Sequence, residues 1–83
     1  MIKIVVLQRG WVVVGRMSQT GTNVQVQNAS VIRYWGTSKG LGELVNGPTP
    51  STKLDPCGNI TVHELAIVFV MDVDQKSWEG SLK

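Results

Sequence analysis

The chain predicts a mainly β fold of the α+β class: a small antiparallel β-barrel or curved sheet of about five strands with one or two short helices. Three observations carry that expectation. Runs rich in β-branched residues recur at strand length, beginning with Ile2-Lys3-Ile4-Val5-Val6-Leu7. Asn23-Val24-Gln25-Val26-Gln27 alternates with the period of a half-buried strand. Helix punctuation occurs in only two places, and both stretches are short.

Residues 2–7 are apolar on both faces, as in a strand covered on two sides or lying at an oligomer seam. Gly10 marks a turn, and residues 11–17 read as a second two-sided strand, with Gly15 as a bulge or close-approach point. Residues 18–22, with Gly21, have the length of a hairpin connection. Val24 and Val26 are expected to face inward while the neighbouring amides face water. Asn28-Ala29-Ser30 interrupts the pattern and residues 31–35 resume it, giving three strands and part of a fourth in a meander. Thr37 or Ser38 is placed to cap a short helix through Leu41, Glu43, Leu44 and Val45, which Asn46-Gly47 and Pro48 would stop. Residues 47–52 should be extended loop, because the residue before each proline is pushed away from the α region. Residues 55–59, Asp-Pro-Cys-Gly-Asn, read as a compact turn cluster. Residues 65–71 then run without a polar side chain, the pattern of a central, doubly covered strand. Asp72 and Gln75 are spaced as a cap and its return partner, and Trp78 and Leu82 would share one face of a short closing helix.

The 83 residues make one domain, 1–83, with no room for a second. A chain this short buries only about 60% of its unfolded surface. Cys57 is the only cysteine and His63 the only histidine, so neither an internal disulfide nor a closed zinc site can reinforce the core. A homo-oligomer is the remaining common remedy and is expected here. With 17% charged residues and a net charge of +2, the eight cations form no run, which argues against duplex nucleic acid as a partner. The apolar run at residues 4–7 is shorter than the ~7–15 residues of a signal-peptide core. Residues 65–71 fall far below the ~20 needed to span a membrane. A soluble cytosolic chain with a reduced thiol, no membrane partner and no cofactor is expected.

Chemistry-bearing groups concentrate between Arg33 and Thr49. Tyr34 and Trp35 are adjacent, so on a strand one should be core and the other free to stack on a planar ligand such as a nucleobase. Arg33 offers a fork of donors to phosphate or to a base edge. Gly36, Thr37, Ser38, Lys39 and Gly40 could expose backbone N–H groups and one point charge to an anion at a helix start, and the loop with Pro48 and Thr49 would close over the site. These ten residues are the predicted ligand-binding set. The stretch is neither a Walker loop nor a dinucleotide Gly-x-Gly-x-x-Gly. Asp55, Cys57 and His63 are the residue types of a Cys-His-Asp set, but no nucleophile motif surrounds Cys57. Asp72 and Asp74 are better read as a helix cap and its solvated neighbour than as metal ligands. No catalytic and no metal-binding residue is expected.

Arg33-Tyr34-Trp35-Gly36, then Leu41-x-Glu43-Leu44, Gly47, a cysteine-bearing turn and Thr61-Val62-His63-Glu64-Leu65-Ala66-Ile67 give residues 28–78 the look of a family. The chain resembles short tailed-bacteriophage proteins of a family known only as a domain of unknown function. That resemblance implies a phage-encoded protein working in the host cytoplasm. Small oligomeric phage proteins include sponges for the nucleotide signals of bacterial immunity as well as minor virion components. The expectation is therefore a non-enzymatic anti-defence protein that sequesters a cyclic oligonucleotide or a cyclic ADP-ribose type signal. The alternative is a virion-associated structural or protein-interaction module.

Overall fold

A computed structural model describes residues 1–82. Strands β1 (Ile2–Leu7), β2 (Val12–Thr20), β3 (Asn23–Tyr34), β4 (Lys53–His63) and β5 (Ile67–Asp72) form one sheet in the order β4-β3-β2-β1-β5. Every neighbouring pair is antiparallel. Short 3₁₀ segments occupy Gln8–Gly10, Leu41–Asn46 and Glu64–Ala66, and helix α1 spans Gln75–Glu79. The expected curved antiparallel sheet with short helices is what the chain forms, and the sheet does not close into a barrel.

The curvature follows from chain reach. β4 and β5 lie at opposite edges, yet only Glu64–Ala66 separates them. Edges of a flat five-stranded sheet would stand ~19 Å apart, four gaps of ~4.8 Å. The four steps from His63 to Ile67 span at most ~14 Å. The sheet must therefore curl. Side chains fix the crossover in place. The Glu64 N–H donates to Thr22 O (2.9 Å), Gln19 Nε2 donates to the Glu64 carboxylate (2.7 Å), and Gln8 Nε2 donates to Leu65 O (3.0 Å). His63 Nδ1 accepts from the Leu65 N–H at 3.1 Å, which makes the single histidine a cap.

Each face of the curl buries its own cluster. Val5, Val13, Val26 and Ala29, joined by Leu7, Met17, Val31, Ile60, Ile67 and Val70, draw on all five strands with no helix over them. Curling alone buries this group. On the opposite face Ile2, Ile4, Val12, Val14 and Ile32 pack under Leu44, Val73 and Trp78. Strands β1 and β2 are thus covered on both sides, as their unbroken apolar runs require. Trp78 is fully buried and donates from Nε1 to Leu44 O at 2.8 Å, which ties α1 to the 3₁₀ segment Leu41–Asn46. Leu82 packs against the same cluster, but from beyond the end of α1 at Glu79 and not from a helix face shared with Trp78.

Several local expectations need correction. Residues 65–71 are not the central strand; β2 is, and the apolar run becomes the edge strand β5, with Val68 and Phe69 exposed. The hairpin turn is only Gly21-Thr22, because β2 and β3 stay paired up to Thr20 and Asn23. Asn28, at φ 51°, makes a bulge and not a break, so the two expected strands are one strand of twelve residues. Residues 55–59 are not a turn but the irregular middle of β4, where the register shifts twice against β3. An edge strand tolerates Pro56 because nothing pairs on its outer side. Neither Thr37 nor Ser38 caps the Leu41–Asn46 segment, whose N-cap is Gly40; the stop at Gly47 is as expected. Asp72 pairs with Lys3, and Gln75 has a different role from the expected one. Its side-chain amide accepts from the Ile2 N–H (2.6 Å) and donates to Ile2 O (2.9 Å), standing in for a strand neighbour.

Two β2–β3 positions give opposite expectations for stability. A Cβ on Gly15 would fall 2.6 Å from Val26 Cγ1 and 2.9 Å from Gln27 O, so Gly15→Ala should destabilise by about 1–3 kcal/mol in denaturant titration. Ser30 Oγ is buried with no hydrogen-bond partner among the described residues. An orphaned buried hydroxyl costs about 1–3 kcal/mol, so Ser30→Ala should leave stability unchanged or raise it in the same titration.

Candidate functional site

β3 outruns its neighbours at its C-terminal end. Val13 pairs with Val31 and β2 begins at Val12, so Arg33 and Tyr34 project past β2; on the other side Tyr34 meets only Lys53, the first residue of β4. Beyond the ladder there is no core for a ring to enter. Tyr34 is 60% exposed and Trp35 41%. The expectation that one of these adjacent aromatics is core therefore fails, and the reason is where the strand pairing stops. Trp11, just ahead of β2 and 57% exposed, comes to the same corner, because extending the Val13–Val31 register by two residues sets it opposite Arg33.

Two hollows result. Arg33, Tyr34, Trp35, Gly36 and Thr37 line one of about 330 Å³. Trp11, Val12, Val31, Ile32, Arg33 and Asp55, with Gly10, line another of about 430 Å³. Both volumes lie at the small end of the range for ligand pockets. Arg33 belongs to both. Its Nε lies 2.8 Å from Asp55 Oδ2, with both side chains at least half exposed. A lone exposed pair of this kind contributes only about 0–1 kcal/mol, so it orients the guanidinium without committing it.

The remaining predicted residues divide. Ser38 Oγ donates to the Glu43 carboxylate at 3.3 Å. Lys39 is exposed, and Gly40 accepts the Glu43 N–H at 3.2 Å through its carbonyl. The Leu41–Asn46 segment has a single 3₁₀ run of six residues with an acidic side chain in its first turn, so it is a poor phosphate cradle. Neither Pro48 nor Thr49 lines either hollow, and Thr49 belongs instead to a buttress. Thr49 Oγ1 donates to Gly36 O and Thr52 Oγ1 to Trp35 O, both at 2.7 Å, and the Thr49 N–H donates to Thr52 Oγ1 at 2.8 Å. These bonds fix the backbone from which Trp35 projects.

Asp55, Cys57 and His63 do not form a reacting set. Asp55 faces Arg33, and the six residues from Cys57 to His63 along β4 correspond to ~20 Å. The Cys57 thiol donates to Ala29 O at 3.4 Å, and desolvation pushes its pKa up, opposite to what a nucleophile needs. Among the described residues no three His, Cys, Asp or Glu side chains converge on one point, and no helix is long and apolar enough to cross a membrane. Sequence reasoning placed Trp11 and Asp55 outside the site. The first is recoverable by counting back from the Gly21-Thr22 hairpin, but only if the register shift between Val14 and Arg16 is included. No match to this chain is found among protein-family models or among curated proteins.

The buttress has a direct test. Gly36 has φ +66°, and a Cβ there would lie 2.6 Å from Thr52 N and closer still to the Ser51 carbonyl carbon. Gly36→Ala should therefore cost about 1–3 kcal/mol in denaturant titration. Gly42→Ala, with open space at its Cβ, is the control and should be neutral or stabilising.

Proposed function

We propose that this chain binds a small nucleotide at the frayed end of β3 and holds it without chemical change. The observation that supports the reading is the gathering of Trp11, Tyr34 and Trp35, all solvent-exposed, around one arginine flanked by hollows of ligand size. Exposed rings of this size are out of place on a surface that only faces water. Base stacking is sequence-tolerant and needs nothing but a flat face, which Trp35 and Tyr34 offer. Arg33 meets phosphate and Thr37 ribose or phosphate in the hollow that holds no carboxylate. The ligand class is a cyclic oligonucleotide or a cyclic ADP-ribose type immune signal, and sequestering it would blunt host defence. Calorimetric titration with a panel of cyclic dinucleotides and cyclic ADP-ribose isomers should give saturable heat with at least one. Trp35→Ala should weaken it by roughly 5- to 150-fold, the range of a lost base–aromatic stack at about 1–3 kcal/mol. Absence of heat and of thermal shift with every member would refute the reading.

A second reading, a protein-interaction module of the virion, is favoured by a different surface. Leu65 is 75% exposed, Val68 61% and Phe69 48%, all beside the unpaired edge of β5. Residues 67–71 carry no proline and no charge, whereas the outer edge of β4 carries Pro56 and an irregular, mostly polar run. Homo-oligomerisation through β5 is compatible with either reading.

A further inference from the structure

The two hollows beside Arg33 differ in one chemical respect: only the Trp11 side holds a carboxylate. There Asp55, its side chain half exposed, lines the hollow together with Val12, Val31, Ile32 and the exposed Trp11. An ionised carboxylate only accepts hydrogen bonds and repels phosphate, so this side is unsuited to the charged end of a nucleotide. It is suited to a base edge. A carboxylate takes two parallel donors, and guanine alone among the common bases offers two side by side, N1–H and N2–H; adenine and cytosine bring one amino group and uracil one imino group. Guanine also presents O6 next to those donors. Arg33 carries five N–H donors, more than the single contact with Asp55 Oδ2 consumes, and it lies next to that carboxylate.

We infer that the Trp11 hollow is a guanine subsite, in which the indole stacks on the base, Asp55 accepts from its Watson–Crick edge, and Arg33 donates to O6. The inference rests on the nucleotide-binding reading and narrows it. The ligand becomes a guanine-containing nucleotide whose phosphate passes Arg33 and whose second base, when present, lies against Trp35. The neighbouring hollow, lacking a carboxylate, has no comparable means of choosing between bases.

Titration of the intact chain with 5′-GMP, 5′-AMP, cyclic di-GMP and cyclic di-AMP tests it. Guanine ligands should bind about tenfold or more tightly than their adenine counterparts, the discrimination of one good bidentate pair. Asp55→Asn, which removes the charge and one acceptor with little change of shape, should abolish that ratio chiefly by weakening the guanine ligands. Trp11→Ala should weaken 5′-GMP while leaving the melting temperature close to that of the parent, since the indole is surface-exposed. Equal affinity for the two bases, or a guanine preference that survives Asp55→Asn in a folded variant, overturns the subsite and leaves nucleotide binding standing. No binding of any of the four ligands, nor of cyclic ADP-ribose isomers, overturns both.

Discussion

The three-residue link between β4 and β5 is the constraint on which the structure depends. Two strands at opposite edges of a five-stranded sheet cannot be joined by so little chain unless the sheet bends, and the bend is what buries Val5, Val13, Val26 and Ala29 without a covering helix. Where the β2–β3 register shifts between Val14 and Arg16, the backbone of residues 27–29 crowds position 15 and leaves no room for a side chain. The opposite face is then left for Leu44 and Trp78, and the indole N–H bonded to Leu44 O joins two short elements that would be unstable alone. An 83-residue chain thereby obtains two apolar clusters from one sheet.

Local features of this arrangement were legible in the sequence, and long-range ones were not. Alternation placed Val24 and Val26 inward, and both are fully buried. The two-sided apolar pattern of β1 and β2 matched their cover on both faces, and Asn46-Gly47 ended the 3₁₀ segment where the stop signal stood. Strand order was another matter. Residues 65–71 look like the middle of a sheet because every side chain is apolar, but side-chain polarity reports what lies above and below a strand and not which strand lies beside it. Asp55, Pro56, Gly58 and Asn59 look like a turn because each favours one, yet an edge strand with register shifts accommodates them all.

The corner at the end of β3 shows the same division. The cluster of Arg33, Tyr34 and Trp35 was visible as composition, and Gly36 and Thr37 join it in one hollow. Pairing with β2 that stops at Val13–Val31 exposes both rings, which no reading of two adjacent residues could foresee. The roles of Thr49 and Thr52, bonded to the carbonyls of Gly36 and Trp35, likewise depend on a loop folding back across more than a dozen residues. Trp11 and Asp55 enter only through the bulged register of β2 with β3 and of β3 with β4. An exposed aromatic surface held by a rigid backbone loses little freedom when a flat molecule settles on it, and that is the physical advantage of mounting the rings on a buttressed strand end.

The unequal edges of the sheet set a limit on self-association. Were both open, each copy could add the next and the array would lengthen without end. Proline and register shifts along β4 disfavour pairing there and leave β5 as the better edge, and two β5 strands meeting about a twofold axis would exhaust each other. A pair joined in that way would have no second open edge of the same kind, so the irregularity of β4 would keep an apolar edge from seeding fibres.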